Sequence, residues 1–185
     1  MPYVIAWHNK DTVVRHSLLI LCLIIGIQDC LAASPQLLER ERDLTHLFDY
    51  PCRKFGIPKP LAMAIARQES GMYPLILNIA GKDVRPTTVQ EALQLAARAE
   101  ARKLSYDVGV MQINSYWIRK YKIPIHILLS PKDNIYMGCW ILRQEIQRHG
   151  MTWKAVGRYH SPTDWRAANY ARLIKCHLLD ILKVR

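Results

Sequence analysis

Two short segments of this chain hold residue types and spacings suited to chemistry. Glu69 closes the run Leu61-Ala62-Met63-Ala64-Ile65-Ala66-Arg67-Gln68-Glu69-Ser70-Gly71, and Asp107-Val108-Gly109-Val110-Met111-Gln112-Ile113-Asn114 follows further along. Leu61, Ile65 and Glu69 recur every four residues, so on a helix the carboxyl shares a face with two aliphatic side chains that point at a core. Burial against apolar surface penalises the charged form and lets a carboxyl keep its proton to higher pH. Protonated near neutrality, such a group is a general acid able to assist cleavage of a glycosidic bond. The competing reading of a helix-end carboxylate is a solvated surface group.

The elements around these segments read as helical. Pro58-Lys59-Pro60 breaks the chain and presets a first turn, which predicts a helix from about Pro60 to Ser70, stopped by Gly71. Residues 71–86 read as irregular. Thr88-Val89-Gln90-Glu91 forms a capping box ahead of an Ala/Leu/Arg-rich helix to about Lys103. Asp107 to Asn114 reads as a loop with some β pairing, Asp107 bonding the backbone of its own Gly-containing turn and Asn114 capping the next helix. Ser130-Pro131 opens a helix whose core positions Ile135, Cys139, Leu142 and Ile146 keep helical spacing until Gly150. Trp153 to Tyr159 is a short segment, and Asp164 is placed to cap a last helix through about Leu182. The expected fold is mainly α, a single helical domain with at most a small β element.

The N-terminus reads as an export signal: Lys10 and Arg15, the apolar run Leu18 to Ile27, then Ala32, Ala33 and Ser34. The apolar run is about half the roughly 20 residues that a spanning helix needs. Residues 1–33 are therefore expected to be a signal peptide and residues 34–185 the working domain; a retained membrane anchor is the alternative. Ile27-Gln28-Asp29-Cys30 lacks the small residues of a lipoprotein processing site. Of 26 basic and 15 acidic side chains, residues 34–185 keep 24 and 13, so the net charge of +11 belongs to that part. A basic surface attracts polyanions, but the cations are scattered along the chain, so nucleic acid is not an expected partner. Removing the signal leaves Cys52, Cys139 and Cys176, enough for one disulfide and one thiol in an oxidising compartment. The seven histidines make no paired ligand spacing, and no Cys-x-x-Cys or phosphate-cradling glycine loop occurs, so no metal or cofactor is expected.

Glu69-Ser70, Gly109-Val110-Met111-Gln112-Ile113-Asn114 and Ala155-Val156-Gly157-Arg158-Tyr159-His160 resemble the three signatures of the lytic transglycosylase family, in its order and spacing. The resemblance covers roughly Asp49 to Leu182. It is closest to the small transglycosylases of type IV secretion, conjugation and pilus systems, through Asn78-Ile79-Ala80-Gly81 and Tyr159-His160-Ser161-Pro162-Thr163. It implies a lysozyme-like α+β fold and non-hydrolytic cleavage of the β-1,4 bond between N-acetylmuramic acid and N-acetylglucosamine in peptidoglycan. Glu69 would act as acid and then base, giving a 1,6-anhydro end. A single carboxyl suffices where the usual glycosidase pair is absent, as in substrate-assisted enzymes.

The resemblance also implies substrate-binding roles. Ser70 would bond sugar or peptide groups, the alternative being a hydroxyl facing water. Met111 and Gln112 would set an apolar contact and an amide beside the acid. Tyr159 would position Glu69 or stabilise developing positive charge, or else pack in the core. Tyr170 would point at the cleft from the last helix, although its fourfold spacing from Arg166 and Ile174 also suits packing. His160 stands where the family more often has asparagine. Cys52 matches a cysteine whose usual partner lies near Lys132, leaving Cys52–Cys139 and Cys52–Cys176 as candidate pairs. The expected setting is the periplasm, acting on peptidoglycan strands alongside an envelope-spanning secretion, conjugation or pilus apparatus. The alternative function is a non-catalytic peptidoglycan-binding scaffold.

Overall fold

The computed structural model describes residues 35–183. The expected signal peptide lies outside the described residues. In chain order the elements are α1 (Pro35–Thr45), a 3-10 turn (His46–Phe48), α2 (Asp49–Phe55), α3 (Lys59–Ser70), β1 (Leu77–Ile79), β2 (Lys82–Val84), α4 (Val89–Ala101), β3 (Tyr106–Val108), β4 (Ile113–Asn114), α5 (Ser115–Tyr121), α6 (Ile125–Leu128), α7 (Pro131–His149), α8 (Trp153–His160) and α9 (Asp164–Lys183). This is the mainly α, lysozyme-like architecture with a small sheet.

Helix α3 sits at the centre. Leu61 through Arg67 are all buried, with Ala62, Ala64 and Ala66 fully so, as expected of a helix covered on every side. Helix α9 packs along it and α2 lies against it. Ile65, Leu142 and Ile174, from α3, α7 and α9, meet in the same core, each contributing about 1.5–3 kcal/mol by burial. Arg67, buried on α3, pairs with Asp180 of α9 at 2.5 Å. Helix α7 packs on α8 and α2, and α8 on α9. A Cβ at Gly157 of α8 would stand 2.3 Å from the Ala167 carbonyl oxygen of α9, so that crossing requires glycine.

The sheet is antiparallel in the order β2-β1-β3-β4. Residues 71–86, expected as irregular, therefore contain a hairpin. Strands of three residues are too short to show alternation, and the signal lies in the turn instead. Ala80 and Gly81 take φ of 50° and 84°, the geometry of a two-residue hairpin turn. Asn78 Oδ1 accepts from Gly81 N at 3.0 Å and locks it. Asp107-Asn114, expected as a loop with some β pairing, forms β3 and β4 around a four-residue turn. Trp153–Tyr159 is helical, with Thr152 as cap accepting from Ala155 N. Asp164 does not cap α9. Thr163 O accepts the bond from Ala167 N at the start of that helix, while the Asp164 carboxylate pairs with Arg158.

The Thr88 cap forms as expected, accepting from Glu91 N at 3.1 Å, but Glu91 returns the bond to Thr87. Cys52, Cys139 and Cys176 are free thiols. Cys52 and Cys139, from α2 and α7, are both buried in the core, and their interaction raises the Cys139 thiol and lowers that of Cys52. No helix among the described residues is long and apolar enough to cross a membrane.

Candidate active site

Glu69 is the last residue but one of α3. The helix stops beside it because Gly71 and Met72 turn left-handed, at φ of 57° and 62°, and their N–H groups cap Arg67 and Ala66 carbonyls. One turn of backbone, Val108 to Gln112, lies against this helix end. Three side chains from three helices fix it. Ser70 Oγ lies 2.8 Å from Val110 O and 3.1 Å from Ala66 O. Asn134 of α7, fully buried, accepts from Met111 N at 2.7 Å and donates to Val108 O and Leu128 O at 2.8 Å each. Tyr159 of α8 donates to Met111 O at 2.7 Å. Gly109 is required there, since φ is 76° and a Cβ would stand 2.4 Å from Asn134 Nδ2.

The same arrangement aims Gln112. Its backbone sits at φ 44°, and its Nε2 donates to Gly109 O at 2.9 Å and Ile76 O at 3.3 Å. The amide oxygen has no hydrogen-bond donor among the described residues, and Gln112 lines a cleft of about 980 Å³ together with Glu69, Asp107, Tyr159 and His160.

Tyr170 of α9 donates to Glu69 Oε1 at 2.5 Å. The ring of His160, at the end of α8, stacks on Tyr170 with centroids 4.6 Å apart and planes within 2°. Burial pushes the Glu69 carboxyl up to about 8; the nearby Asp107 charge adds to this and the Tyr170 bond opposes it. Burial and the Glu69 charge push both Tyr159 and Tyr170 phenols well up, so both remain protonated donors. Oε1 is occupied as an acceptor, which places the acidic proton on Oε2.

Asp107 does not bond its own turn. It accepts from Asn114 Nδ2 across the β3–β4 pair at 2.7 Å, because the two residues are register partners with side chains on one face. Asn114 also caps α5, accepting from Tyr116 N at 2.8 Å. The register continues the row: Asp107 opposite Asn78, and Asn78 opposite Asp83, with Asn78 Nδ2 on Asp83 Oδ1 at 2.7 Å. One residue from each strand thus lines the cleft. Burial raises the Asp107 carboxyl, opposed by the Asn114 bond and aided by the Asp83 charge.

The sequence model of the transglycosylase SLT domain matches residues 46–170, from the turn before α2 to the tyrosine on Glu69. The chain belongs to the SLT family. It is similar to invasion protein IagB of Salmonella typhi, 30% identical over 115 residues covering 60% of this chain and 59% of that protein. It is similar to type IV secretion system protein virB1 of Brucella abortus, 29% identical over 99 residues, 52% of this chain and 41% of the other. A third relative is the X polypeptide of Escherichia coli, 30% identical over 121 residues, 63% and 59% of the two chains. The chain spans about three fifths of the length of the first of these curated relatives.

Within the SLT domain, Glu69, Gln112 and Tyr159 line the cleft, and Tyr170 lies behind the acid, bonded to it. Ser70 and Met111, read as substrate contacts, are buried outside the cleft lining. The Ser70 hydroxyl is turned onto backbone carbonyls, and Met111 packs on Gly138 of α7, where a Cβ would stand 2.6 Å from its own. Asn134 and Glu145 escaped the sequence reading. Asn134 sits on an ordinary helical pattern and only its neighbours reveal its bonds. Glu145 of α7 also lines the cleft, held by Arg148 at 2.5 Å.

Proposed function

We propose that this SLT-domain protein is a peptidoglycan lytic transglycosylase that cleaves the β-1,4 bond between N-acetylmuramic acid and N-acetylglucosamine without water. The observation that carries this reading is a carboxyl on the wall of an open cleft that is largely shielded from water, held by one phenol and pushed up to about 8. At neutral pH the Glu69 proton passes to the departing glycosidic oxygen as its bond to muramic C1 breaks. The resulting carboxylate takes the proton of the C6 hydroxyl as that oxygen closes on C1. A 1,6-anhydro end forms and Glu69 recovers its proton. Asp107 is engaged by Asn114, and Glu145 by Arg148, so neither is a free partner for Glu69. The Gln112 oxygen, without a donor among the described residues, suits the N–H of an acetamido group.

The two relatives named as an invasion protein and a type IV secretion system protein support a setting in the periplasm, where the enzyme opens the wall locally for an envelope-spanning apparatus. Incubation of the purified protein and Glu69→Gln with peptidoglycan, followed by mass spectrometry, tests the reaction. Anhydromuropeptides absent from the Glu69→Gln digest are expected. Reducing-end products would mean hydrolysis, and sacculus binding without products would mean a scaffold.

A further inference from the structure

His160 stands at the mouth of the acid without a role in the steps above. Its ring is clamped face to face on Tyr170, the residue whose hydroxyl already bonds Glu69 Oε1. Its Nδ1 lies 3.9 Å from that same oxygen, and its side chain is about half exposed to the cleft against 12% for Glu69. Stacking on Tyr170 holds the ring beside that carboxylate oxygen, so a movement of about 1 Å brings Nδ1 within hydrogen-bond range of Oε1. We propose that His160 is a positioning residue for Glu69, donating its Nδ1–H to the carboxylate that forms once the acid has given up its proton. The proposal deepens the transglycosylase reading and rests on it.

The charges around His160 favour a neutral donor. From α9 it faces Tyr170 and Arg166; from α8, its neighbour Tyr159 and Arg158, which is paired with Asp164; from α3, Glu69; from β3, Asp107. Glu145, Arg148 and His149 of α7 line the same cleft. Burial and the Arg166 charge hold the imidazole below its ordinary value. A neutral ring with its proton on Nδ1 can steady the carboxylate without placing a cation beside the acid. Protonation would place that cation there, drawing the Glu69 proton off more readily and weakening the carboxylate as the base for the C6 hydroxyl. Asparagine carries its amide nitrogen at the same bond position as Nδ1, whereas glutamine carries it one atom further out. The pair of substitutions therefore separates a donor at one place from a polar group in general.

The test is a carbon-13 NMR titration of the Glu69 carboxyl in the purified protein and in His160→Ala, His160→Asn and His160→Gln, with turnover against pH measured in parallel. Loss of a carboxylate donor should raise the Glu69 titration by about half a unit or more in His160→Ala, and asparagine should return it to the wild-type value. Turnover should fall about tenfold in His160→Ala with KM unchanged, recover in His160→Asn and stay low in His160→Gln. The acid limb set by the imidazole should vanish in His160→Asn. Identical Glu69 titrations in wild type, His160→Ala and His160→Asn would overturn the proposal, as would a loss confined to KM. A shifted Glu69 titration in a protein that releases no anhydro products would uphold the coupling and defeat the transglycosylase reading.

Discussion

Two surfaces line one cleft and treat carboxyl groups differently. On the helical side, α3, α8 and α9 enclose Glu69 with two phenols and an imidazole, and burial drives its proton affinity up to about 8. On the sheet side, Asp83, Asn78, Asp107 and Asn114 form a row in which each carboxylate has an amide donor on the next strand. Burial also raises Asp107, but the Asn114 bond works against it. Neighbours therefore set the proton affinity of each carboxyl: an enclosure that excludes water and offers one phenol donor raises it, and a row of amide donors makes a fixed acceptor surface.

The strongest challenge to this contrast is removal of the acid. Glu69→Gln should lower turnover by about 10²- to 10⁴-fold, read from anhydromuropeptide release. The same substitution should stabilise the fold. The Glu69 carboxyl is raised from 4.5 unfolded to about 8 folded. Its contribution to stability is thus fully present below 4.5 and is lost as pH rises through 8. Against that background Glu69→Gln should gain up to about 3 kcal/mol at pH 7, the gain disappearing below pH 4.5 in denaturant titrations. A Glu69→Gln protein of unchanged stability at pH 7 would show that the enclosure is wetter than described.

Asn134 tests whether the turn between the two surfaces is held from behind. Asn134→Ala strands three buried backbone groups and should cost about 3 kcal/mol or more, a melting shift of roughly 6–12 °C. Tyr170→Phe removes the bond that favours the Glu69 carboxylate. The alkaline limb of the rate profile should move up, and turnover should fall about tenfold. Asp107→Asn sharpens the comparison at its weakest point. Deleting a negative charge near Glu69 should move the alkaline limb down by less than about one unit, with turnover changed by less than about tenfold. A loss as large as that of Glu69→Gln would make Asp107 a second reacting carboxylate.

Much of the helical side was legible in the sequence. The Leu61-Ile65-Glu69 spacing and the proline and glycine that bound α3 are local signals, and the cap at Thr88 and the Pro131–Gly150 limits are equally local. The sheet side was mostly illegible, because three-residue strands carry no periodicity and their pairing depends on contacts distant in the chain. Side-chain direction was also hidden. Ser70 and Met111 adjoin cleft residues in sequence, yet α3 and the turn rotate them into the interior. Tyr159 and Tyr170 were both visible as candidates. Which of them holds Glu69 depends on the angle between α8 and α9, and the structure gives that bond to Tyr170 while Tyr159 secures the turn.

The contact of Gly157 with Ala167 bears on that angle. One helical turn beyond each of these residues stand His160 and Tyr170, whose rings lie 4.6 Å apart. The ring separation therefore inherits its tolerance from the backbone contact, which leaves no room for even one methyl group. Gly157 is a gauge of zero thickness for the site: the distance between two rings beside Glu69 is set by a side chain that is not there.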